Sequence, residues 1–163
     1  AFPSFFRLSA LQGGKPFLRT NAFSMVLSYS DTKEFSPAAL EELFLSVQWE
    51  SGRHPERLAR ALLHYGAVFS AWDGGRLAGL IAAMDDGTMT AYVHYLLVHP
   101  LYQGCGVGSR LLELCKRRYA GYLNVVLTSY REGVPFYERN GFIADRTQEA
   151  MRFIPPSSGE TGL

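Results

Sequence analysis

Three glycines between positions 103 and 108 precede an amphipathic pattern that continues to about residue 119. The stretch reads Gln103-Gly104-Cys105-Gly106-Val107-Gly108. Glycines let a backbone approach a ligand closely. The first turn of a helix presents N–H groups without intrahelical partners at the positive end of the helix dipole. The stretch therefore predicts a site for phosphate oxygens that needs no basic side chain.

Two common phosphate-binding patterns do not fit this stretch. A dinucleotide-binding fingerprint has a third Gly or Ala where Ser109 stands, begins directly after a strand, and has an acidic residue about 20 positions later. Here the predicted strand ends earlier, at Val98, and Leu127-Thr128 occupies the place of the acid. A nucleoside triphosphate loop needs Gly-Lys-Ser/Thr, which the sequence lacks.

The elements that must position the glycines alternate between strands and helices. Helices are predicted from Pro37 to about 49, from Pro55 with Gly66 as its stop, and over residues 106–119 and 134–139. Strands are predicted over residues 25–29, 67–72, 76–84, 88–98, 123–128, around 142 and over 150–154. This order predicts an α+β (mixed α/β) domain with a mostly antiparallel sheet of about seven strands and helices on both faces.

The glycine stretch resembles the Gln/Arg-x-x-Gly-x-Gly/Ala signature of the GNAT superfamily of acyl-CoA-dependent N-acyltransferases. Its surroundings are similar to the family as well: Leu97-Val98-His99-Pro100 and Tyr102-Gln103 before it, and Phe136-Tyr137-Glu138-Arg139-Asn140-Gly141-Phe142 after it. The resemblance spans residues 25–154 and includes the order of elements. It implies an enzyme that transfers the acetyl group of acetyl-CoA, a co-substrate, to a primary amine by direct attack in a ternary complex.

The resemblance also implies where acetyl-CoA binds. Backbone groups of Leu96, Leu97 and Val98 would pair with the pantetheine as an extra strand does. The pyrophosphate would bind at the glycine stretch, whose cofactor-binding residues are Gln103, Gly104, Cys105, Gly106, Val107, Gly108 and Ser109. We expect no metal, because no His or Cys residues stand at zinc-site spacing. We expect no nucleophilic role for Cys105, because the motif places no base beside it.

Two residues are candidates for proton transfer. In similar enzymes the position of Tyr137 places a phenol beside the CoA sulfur, which implies that Tyr137 is the general acid; the alternative is an aromatic core residue, as we expect Phe136 to be. His94 stands where arylalkylamine N-acetyltransferases carry a histidine thought to relay the amine proton, and its ordinary pKa of about 6.5 suits a base. The alternatives for His94 are a purely structural histidine or a water chain as the base.

Strict alternation along the predicted strand places Tyr92, His94, Leu96 and Val98 on one face. Tyr92 stands where some histone-type relatives carry a glutamate, and a tyrosine does not replace that carboxylate as a base. A carboxylate-driven mechanism is therefore not expected.

Other residues near these motifs receive simpler interpretations. We expect His99, which precedes a proline, to be structural or solvated. Trp49 and His54 lie in a loop that helps form the acceptor pocket in the family, although a loop or core role is simpler. Lys116, Arg117 and Arg118 complement the dipole at their helix end, with a contact to the CoA 3′-phosphate as the alternative. Where many members of the family carry Asn after the fifth strand, this chain has Tyr130-Arg131, so that pantetheine contact is not predicted.

Composition limits the partners. The 163 residues are 47% hydrophobic and 19% charged, which predicts one globular domain. Sixteen Lys and Arg against 15 Asp and Glu give a net charge of +1, which argues against nucleic-acid and membrane partners. Apolar runs are much shorter than the roughly 20 residues that span a bilayer, so we expect a soluble protein. With two cysteines and no disulfide framework, we expect a reducing compartment.

The predicted organisation has three parts. Residues 1–24 are an N-terminal extension or leader, residues 25–154 a single acetyltransferase domain, and residues 155–163 a flexible tail. The expected location is cytoplasmic, or organellar if residues 1–24 are a transit segment. A small-molecule amine is the expected acceptor, because no acidic run marks a polyamine or basic-peptide groove. A protein or peptide amine and a non-catalytic acyl-CoA-binding module are the alternatives. Many relatives of the family pair through sheet edges, so a homodimer is a further alternative for the oligomeric state.

Overall fold

The computed structural model describes residues 26–151 and 153, which form a five-stranded sheet in the order β1-β2-β3-β4-β5. The strands are β1 (Ser28–Ser30), β2 (Ala67–Asp73), β3 (Arg76–Asp85), β4 (Thr90–Val98) and β5 (Asn124–Leu127). Neighbouring strands are antiparallel except β4 and β5, which are parallel. The predicted antiparallel meander is thus the centre of the sheet.

Four helices cover the two faces of the sheet: α1 (Pro37–Ser46), α2 (Pro55–Leu63), α3 (Val107–Arg118) and α4 (Val134–Arg139). Short 3₁₀ turns span Glu50–Arg53, Pro100–Tyr102 and Arg131–Gly133. The α1 helix starts as predicted, since the Ser36 hydroxyl accepts from the Ala39 N–H at 3.2 Å and Pro37 occupies the first helical position. None of the helices in residues 26–151 is long and apolar enough to cross a membrane.

Apolar side chains form one cluster on each face of the sheet. On one face, Leu111 and Leu112 of α3 are fully buried against β2, β3 and β4. On the other, Leu40 and Leu43 of α1 pack with Leu62 of α2. Burial of each such side chain contributes about 1.5–3 kcal/mol. The helices on both faces therefore shield the central strands from solvent.

The β4 strand contains a bulge at His94. Ala82 of β3 pairs with Tyr95, and the next residue, Ala83, pairs with Val93. His94 is therefore the extra residue that opposes no single partner on β3.

The bulge reverses the alternation of side chains along β4. Before it, Val93 belongs to the cluster on the α3 face; after it, Leu96 belongs to that same cluster, while Tyr95 and Leu97 belong to the opposite one. Strict alternation does not survive an inserted residue. The prediction of a single shared face is therefore wrong for the set Tyr92, His94, Leu96 and Val98.

The predicted count of about seven strands is also wrong for the described residues, which form five. Gly141 adopts a left-handed φ of 86° at the end of α4, and the N–H of Phe142 bonds back to the carbonyl of Tyr137 at 3.0 Å. Phe142 thus packs as part of the helix end rather than as a strand residue. Ile143 beyond it is 93% exposed.

Some predictions fall outside the described residues. The extension over residues 1–24 and the tail over 155–163 lie there, as do positions 152 and 154 of the last predicted strand. Residues 143–151 are described and contain no strand.

Gly66, which follows α2, leaves space for the hydrogen-bonded carboxylate of Asp85. Gly66 does not have a left-handed φ, so it is not the helix stop that the sequence predicted. A Cβ atom on Gly66 would instead lie far inside contact distance of Asp85 Oδ2. That carboxylate cannot move freely, because it accepts from the Tyr119 hydroxyl at 2.6 Å and from the Gly87 N–H at 3.0 Å.

We therefore expect Gly66→Ala to lower the free energy of unfolding by about 2 kcal/mol, since it displaces a hydrogen-bonded carboxylate from its site. Urea denaturation measures the effect. Gly75→Ala is the matched control, because a Cβ there meets no atom within 4 Å. Equal midpoints for the two variants would contradict the expectation.

Candidate active site

A cleft opens where β4 and β5 diverge. Their parallel pairing runs from Thr90 with Asn124 to Val93 with Leu127 and goes no further. From Tyr95 to Val98, β4 remains paired with β3 alone among the described residues. The other backbone edge of that half-strand therefore faces the cleft, where an extended polar ligand can pair with it.

The larger cavity of this cleft has a volume of about 240 Å³. The β4 edge forms one wall, the glycine stretch closes one end, and α4 contributes the opposite side. The lining residues that the sequence predicted for the cofactor are Leu96, Leu97, Val98, Gln103, Gly104, Gly106, Val107, Gly108 and Ser109. The remaining lining residues are Val47, Tyr102, Gly133, Phe136 and Arg139.

Two of the glycines are required by backbone conformation. Gly104 has a φ of 74° and Gly106 a φ of 81°. A Cβ atom on either would meet nothing within 4 Å, so the left-handed backbone, not lack of space, favours glycine there. Gly108 differs, because its Cβ would lie 3.3 Å from Cζ of Phe136. Glycine at that position lets α3 approach α4 closely.

The N-terminus of α3 presents amides to the larger cavity. Its N-cap is Gly106, which has no side chain to cap the helix, and the first turn contains no acidic residue. The first backbone bond of the helix runs from the Arg110 N–H to the Gly106 carbonyl, at 3.0 Å. The amides of Val107, Gly108 and Ser109 precede that bond, and all three residues line the cavity. This arrangement suits an anion.

Side chains brace the turn before α3. The Gln103 amide Nε2 donates to the Val98 carbonyl at 3.0 Å, so this side chain holds the turn together while the residue lines the cavity. The Tyr102 hydroxyl donates to Asp73 Oδ2 at 2.7 Å. His99 caps the 3₁₀ turn, its Nδ1 accepting from a backbone N–H at 3.3 Å, which confirms its structural role.

A smaller cavity of about 50 Å³ adjoins the first and shares Leu96 with it. It is lined by Trp49, Val93, His94, Leu96, Thr128, Ser129, Tyr130 and Tyr137. The two predicted catalytic side chains therefore line one cavity. No Asp, Glu, Lys or Arg of the described part of the chain lines it.

Tyr137 is a buried phenol on α4. It is 5% exposed and packs edge-on against the rings of Phe136 and Phe142. Burial raises its pKa to about 12, and the nearby Tyr92 adds to that shift. Within residues 26–151, no hydrogen bond joins its hydroxyl to another group. A phenol in this environment stays protonated at neutral pH and can donate.

His94 is held by aromatic neighbours. Its Nδ1 lies 2.5 Å from the hydroxyl oxygen of Tyr65, and its ring stacks on Tyr95 with centroids 4.1 Å apart. Burial lowers its pKa below the ordinary histidine value. The imidazole is therefore neutral at neutral pH and can accept a proton.

Several other candidates lie away from the cavities. The Cys105 thiol is exposed and is not part of either lining. His54 is exposed before α2, whereas Trp49 does line the smaller cavity. At the end of α3, Lys116 donates to the Asn140 carbonyl at 2.6 Å, Arg117 pairs with Glu113, and Arg118 lies over the Tyr119 ring.

Sequence reasoning missed residues that join the site only through tertiary contacts. Tyr65 follows α2, 29 positions before the histidine that it contacts. Thr128, Ser129 and Tyr130 enter the smaller cavity because β5 ends at Leu127. Arg139 could have been noticed, since it stands inside the recognised Phe-Tyr-Glu motif. No group of three or more His, Cys, Asp or Glu within the described residues could hold a metal ion.

Comparisons with known proteins agree with this fold. Residues 64–144 match the family model of the acetyltransferase (GNAT) domain. The chain is 30% identical over 122 residues to an uncharacterised N-acetyltransferase, ycf52, of Porphyra purpurea, covering 71% of this chain and 70% of the relative. A GNAT-family acetyltransferase structure from Streptococcus pneumoniae TIGR4 superimposes with a TM-score of 0.70 and 26% identity, over 81% of this chain and 100% of that one.

Two relatives have named acceptors. Serotonin N-acetyltransferase 2, chloroplastic, of Oryza sativa subsp. japonica is 34% identical over 66% of this chain and 56% of its own. Glucosamine 6-phosphate N-acetyltransferase of Trypanosoma brucei brucei is 33% identical over 50% of this chain and 60% of its own. The matched region thus spans little more than half of each of these two relatives.

The fold and site define a CoA-dependent acyltransferase, and the chain belongs to the GNAT acetyltransferase family. It is an acetyltransferase, and its family uses acetyl-CoA as a co-substrate. The predicted family, fold class and enzyme class are confirmed.

Proposed function

We propose that this acetyltransferase transfers the acetyl group of acetyl-CoA to the primary amine of a small aromatic acceptor, by direct attack in a ternary complex. The observation that carries the proposal is the smaller cavity. Among the described residues its lining carries no charged side chain, is rich in aromatic side chains, shares Leu96 with the larger cavity, and includes both His94 and Tyr137.

Acetyl-CoA fits the larger cavity in this proposal. The pyrophosphate lies at the glycine stretch and the N-terminus of α3, and the pantetheine runs along the free edge of β4 at Leu96, Leu97 and Val98. Arg139 is the single charged side chain among the described residues that line this cavity, so it is the cation placed to contact a phosphate. The thioester then reaches the junction with the smaller cavity.

Proton transfer accompanies the reaction at two points. An alkylammonium costs about 4–5 kcal/mol to deprotonate at pH 7, which gives a base a role. His94 accepts the proton that the ammonium nitrogen must lose before it has a lone pair with which to attack the thioester carbon. The C–N bond then forms and the C–S bond breaks; Tyr137 gives its proton to the departing sulfur and regains one from the nitrogen as the amide forms.

Burial brings the pKa of the proposed acid, Tyr137, close to that of the thiol it protonates. A solvated thiol has a pKa of about 8.5, so a phenol with a pKa of about 12 would transfer a proton to its thiolate at a cost of about 5 kcal/mol. Cys115 shows what burial does to a thiol in this core, raising its pKa to about 12. A CoA sulfur buried to a similar depth would therefore have nearly the same proton affinity as Tyr137. Tyr137 works as an acid in this proposal because the site excludes water from the sulfur.

The acceptor class follows from the lining of the smaller cavity. The named relatives point to two chemistries, an indole amine and a phosphorylated amino sugar. A phosphate dianion loses several kcal/mol when it is desolvated without a cation, and no Lys or Arg of the described chain lines this cavity. Trp49, Tyr130 and Tyr137 instead offer aromatic surface to a ring. The lining favours the aromatic amine.

A panel of amines tests the proposed function through release of CoA thiol. We expect kcat/KM for tryptamine or phenethylamine to exceed that for glucosamine 6-phosphate, spermidine and a lysine peptide by about 100-fold, or about 2.7 kcal/mol. Preference for the phosphosugar or the peptide would overturn the acceptor class. Binding of acetyl-CoA without turnover of any amine would favour a non-catalytic module.

The anion site predicts a charge effect at Cys105, whose exposed side chain projects from the glycine stretch. We expect Cys105→Asp to weaken binding of CoA about tenfold and to do so less at high salt, because residue 105 stands between Gly104 and Gly106 of the cavity lining and its carboxylate would repel the pyrophosphate from just outside the cavity. Cys105→Asn is the matched control and should bind as the unaltered protein does. Calorimetric titration with CoA measures both, and equal affinities for Asp and Asn would place the phosphates elsewhere.

Removal of the acid tests the role of Tyr137. We expect Tyr137→Phe to lower kcat about 100-fold while KM for acetyl-CoA stays within a factor of two, because the ring still packs and only the proton is lost. Tyr122→Phe, which removes a hydroxyl outside both cavities, should leave kcat unchanged. A Tyr137→Phe enzyme with unaltered kcat would return Tyr137 to a purely structural role.

A further inference from the structure

We infer that Asp73 is a positioning residue for cofactor binding, although it lines neither cavity. Its carboxylate accepts from the hydroxyl of Tyr102 and thereby fixes the turn that leads into the glycine stretch. The inference rests on the proposed function, in which the pyrophosphate of acetyl-CoA lies at that stretch.

The hydrogen bond joins two distant parts of the chain. Asp73 is the last residue of β2 and pairs with Arg76 across the turn between β2 and β3. Tyr102 ends the 3₁₀ turn that follows β4, and it is 5% exposed. The Tyr102 hydroxyl donates to Asp73 Oδ2 at 2.7 Å. A carboxylate acceptor makes a stronger hydrogen bond than a neutral one, so this contact holds the turn against the β2–β3 hairpin.

A backbone bond joins the same hairpin to the start of the same turn. The register between β2 and β3 shifts after Ala71, which leaves Ala78 of β3 without a single opposing residue on β2. The Ala78 carbonyl accepts from the His99 N–H at 2.9 Å. His99 precedes the turn and Tyr102 ends it. The hairpin therefore holds this turn at both ends, by a backbone bond at one and by the Asp73 carboxylate at the other.

The glycine stretch needs support at its near end. Glycine populates left-handed and right-handed conformations about equally, so Gly104 and Gly106 do not themselves select the left-handed φ that both adopt. At its far end the stretch runs into α3, which starts at Val107. At its near end it directly follows Tyr102. Loss of the bond to Asp73 would therefore let the stretch sample conformations in which its amides do not converge on an anion.

Such sampling lowers affinity without changing the bound state. When a ligand binds one conformation only, its apparent Kd is the intrinsic Kd divided by the fraction of molecules in that conformation. A competent fraction of about one fifth would raise Kd about fivefold. Once acetyl-CoA is bound, the cofactor itself holds the stretch, and the chemical step proceeds as before. The carboxylate of Asp73 therefore acts on the KM for acetyl-CoA and not on kcat.

A second tyrosine–carboxylate pair in the fold supplies the matched control. The Tyr119 hydroxyl donates to Asp85 Oδ2 at 2.6 Å, and Tyr119 is 1% exposed. Asp85 ends β3, at the opposite end of that strand from the β2–β3 turn. Neither of these residues lines a cavity of the cleft. Tyr119→Phe therefore removes the same kind of bond and leaves the turn before the glycine stretch untouched.

Calorimetric titration with CoA, and kinetics with acetyl-CoA and tryptamine, test the inference. We expect Tyr102→Phe and Asp73→Ala each to raise Kd for CoA and KM for acetyl-CoA about fivefold, with kcat within about a factor of two. The double variant should bind CoA no more weakly than either single variant, because all three lack the same bond. Tyr119→Phe should lower the urea midpoint at least as much as Tyr102→Phe and leave Kd unchanged.

Asp73→Asn separates the hydrogen bond from the charge. The asparagine side chain keeps a carbonyl oxygen that accepts from Tyr102, while the negative charge is lost. We therefore expect Asp73→Asn to bind CoA with a Kd within about a factor of two of the unaltered value. A Kd as high as that of Asp73→Ala would assign the effect to charge and overturn the inference.

The titration needs no acceptor amine, so it decides the inference whatever the acceptor class. Unchanged affinity in Asp73→Ala would overturn the inference, and so would an equal loss of affinity in Tyr119→Phe. Asp73 is half-buried at a hairpin turn, so Asp73→Ala still gives the answer if Tyr102→Phe fails to fold. An unaltered protein that binds no CoA would refute the proposed function itself, a result distinct from CoA binding that does not depend on Asp73.

Discussion

Backbone hydrogen bonds between β4 and β5 end at Val93 and Leu127, and the active site depends on that interruption. A continuous parallel pair would fill the cleft with peptide groups and leave no edge for a ligand. The bulge at His94 falls at the same level as the last pair. Bulges increase local twist and bend a strand, so the inserted residue and the separation of the strands are parts of one distortion. The imidazole at the bulge lies against Tyr65, with Nδ1 2.5 Å from the hydroxyl oxygen.

A chain with a net charge of +1 has no broad field to attract an anionic cofactor, so an anion site has to be local. In the proposed function the N-terminus of α3 provides that site through amides rather than cations. An uncapped N-terminus, two left-handed glycines and a first turn free of acidic residues all act at one point. The loop before the helix is held by side chains instead of by regular structure, through Gln103 and Tyr102. Binding groups are therefore in place before a ligand arrives, which reduces the ordering that binding requires.

The sequence predicts the parts of this site that depend on local chemistry. The short helix over residues 134–139 was bounded correctly, because Pro135 and Gly141 mark its two ends within seven residues. The left-handed glycines and the start of α3 were likewise predictable, because positive φ and a helix start are local properties; the binding of an anion there stays a prediction. The α4 helix also places Tyr137 in the lining of the smaller cavity, and the role of general acid that the motif implies for it stays a prediction.

What the sequence could not predict depends on pairing between distant segments. A bulge is set by the register of β3 against β4, and nothing in residues 90–98 alone marks His94 as the extra residue. The contact between Tyr65 and His94 has the same origin, since it requires α2 and β4 to pack on one face. The strand predicted near Phe142 does not form, and the cause is local. The Phe142 N–H bonds to the Tyr137 carbonyl at the end of α4, so it is not available to pair with a neighbouring strand.

Burial acts in opposite directions on the pKa values of His94 and Tyr137, the two groups of the smaller cavity for which we propose proton transfer. It raises the pKa of Tyr137 and lowers that of His94, so both are neutral at the same pH. A carboxylate base in this position would carry a charge into an apolar cavity and would need a partner to stabilise it. An imidazole and a phenol avoid that cost, because each is uncharged before it accepts or donates a proton. For this reason a cavity whose described lining contains no Asp, Glu, Lys or Arg can still hold the acid and the base that we propose.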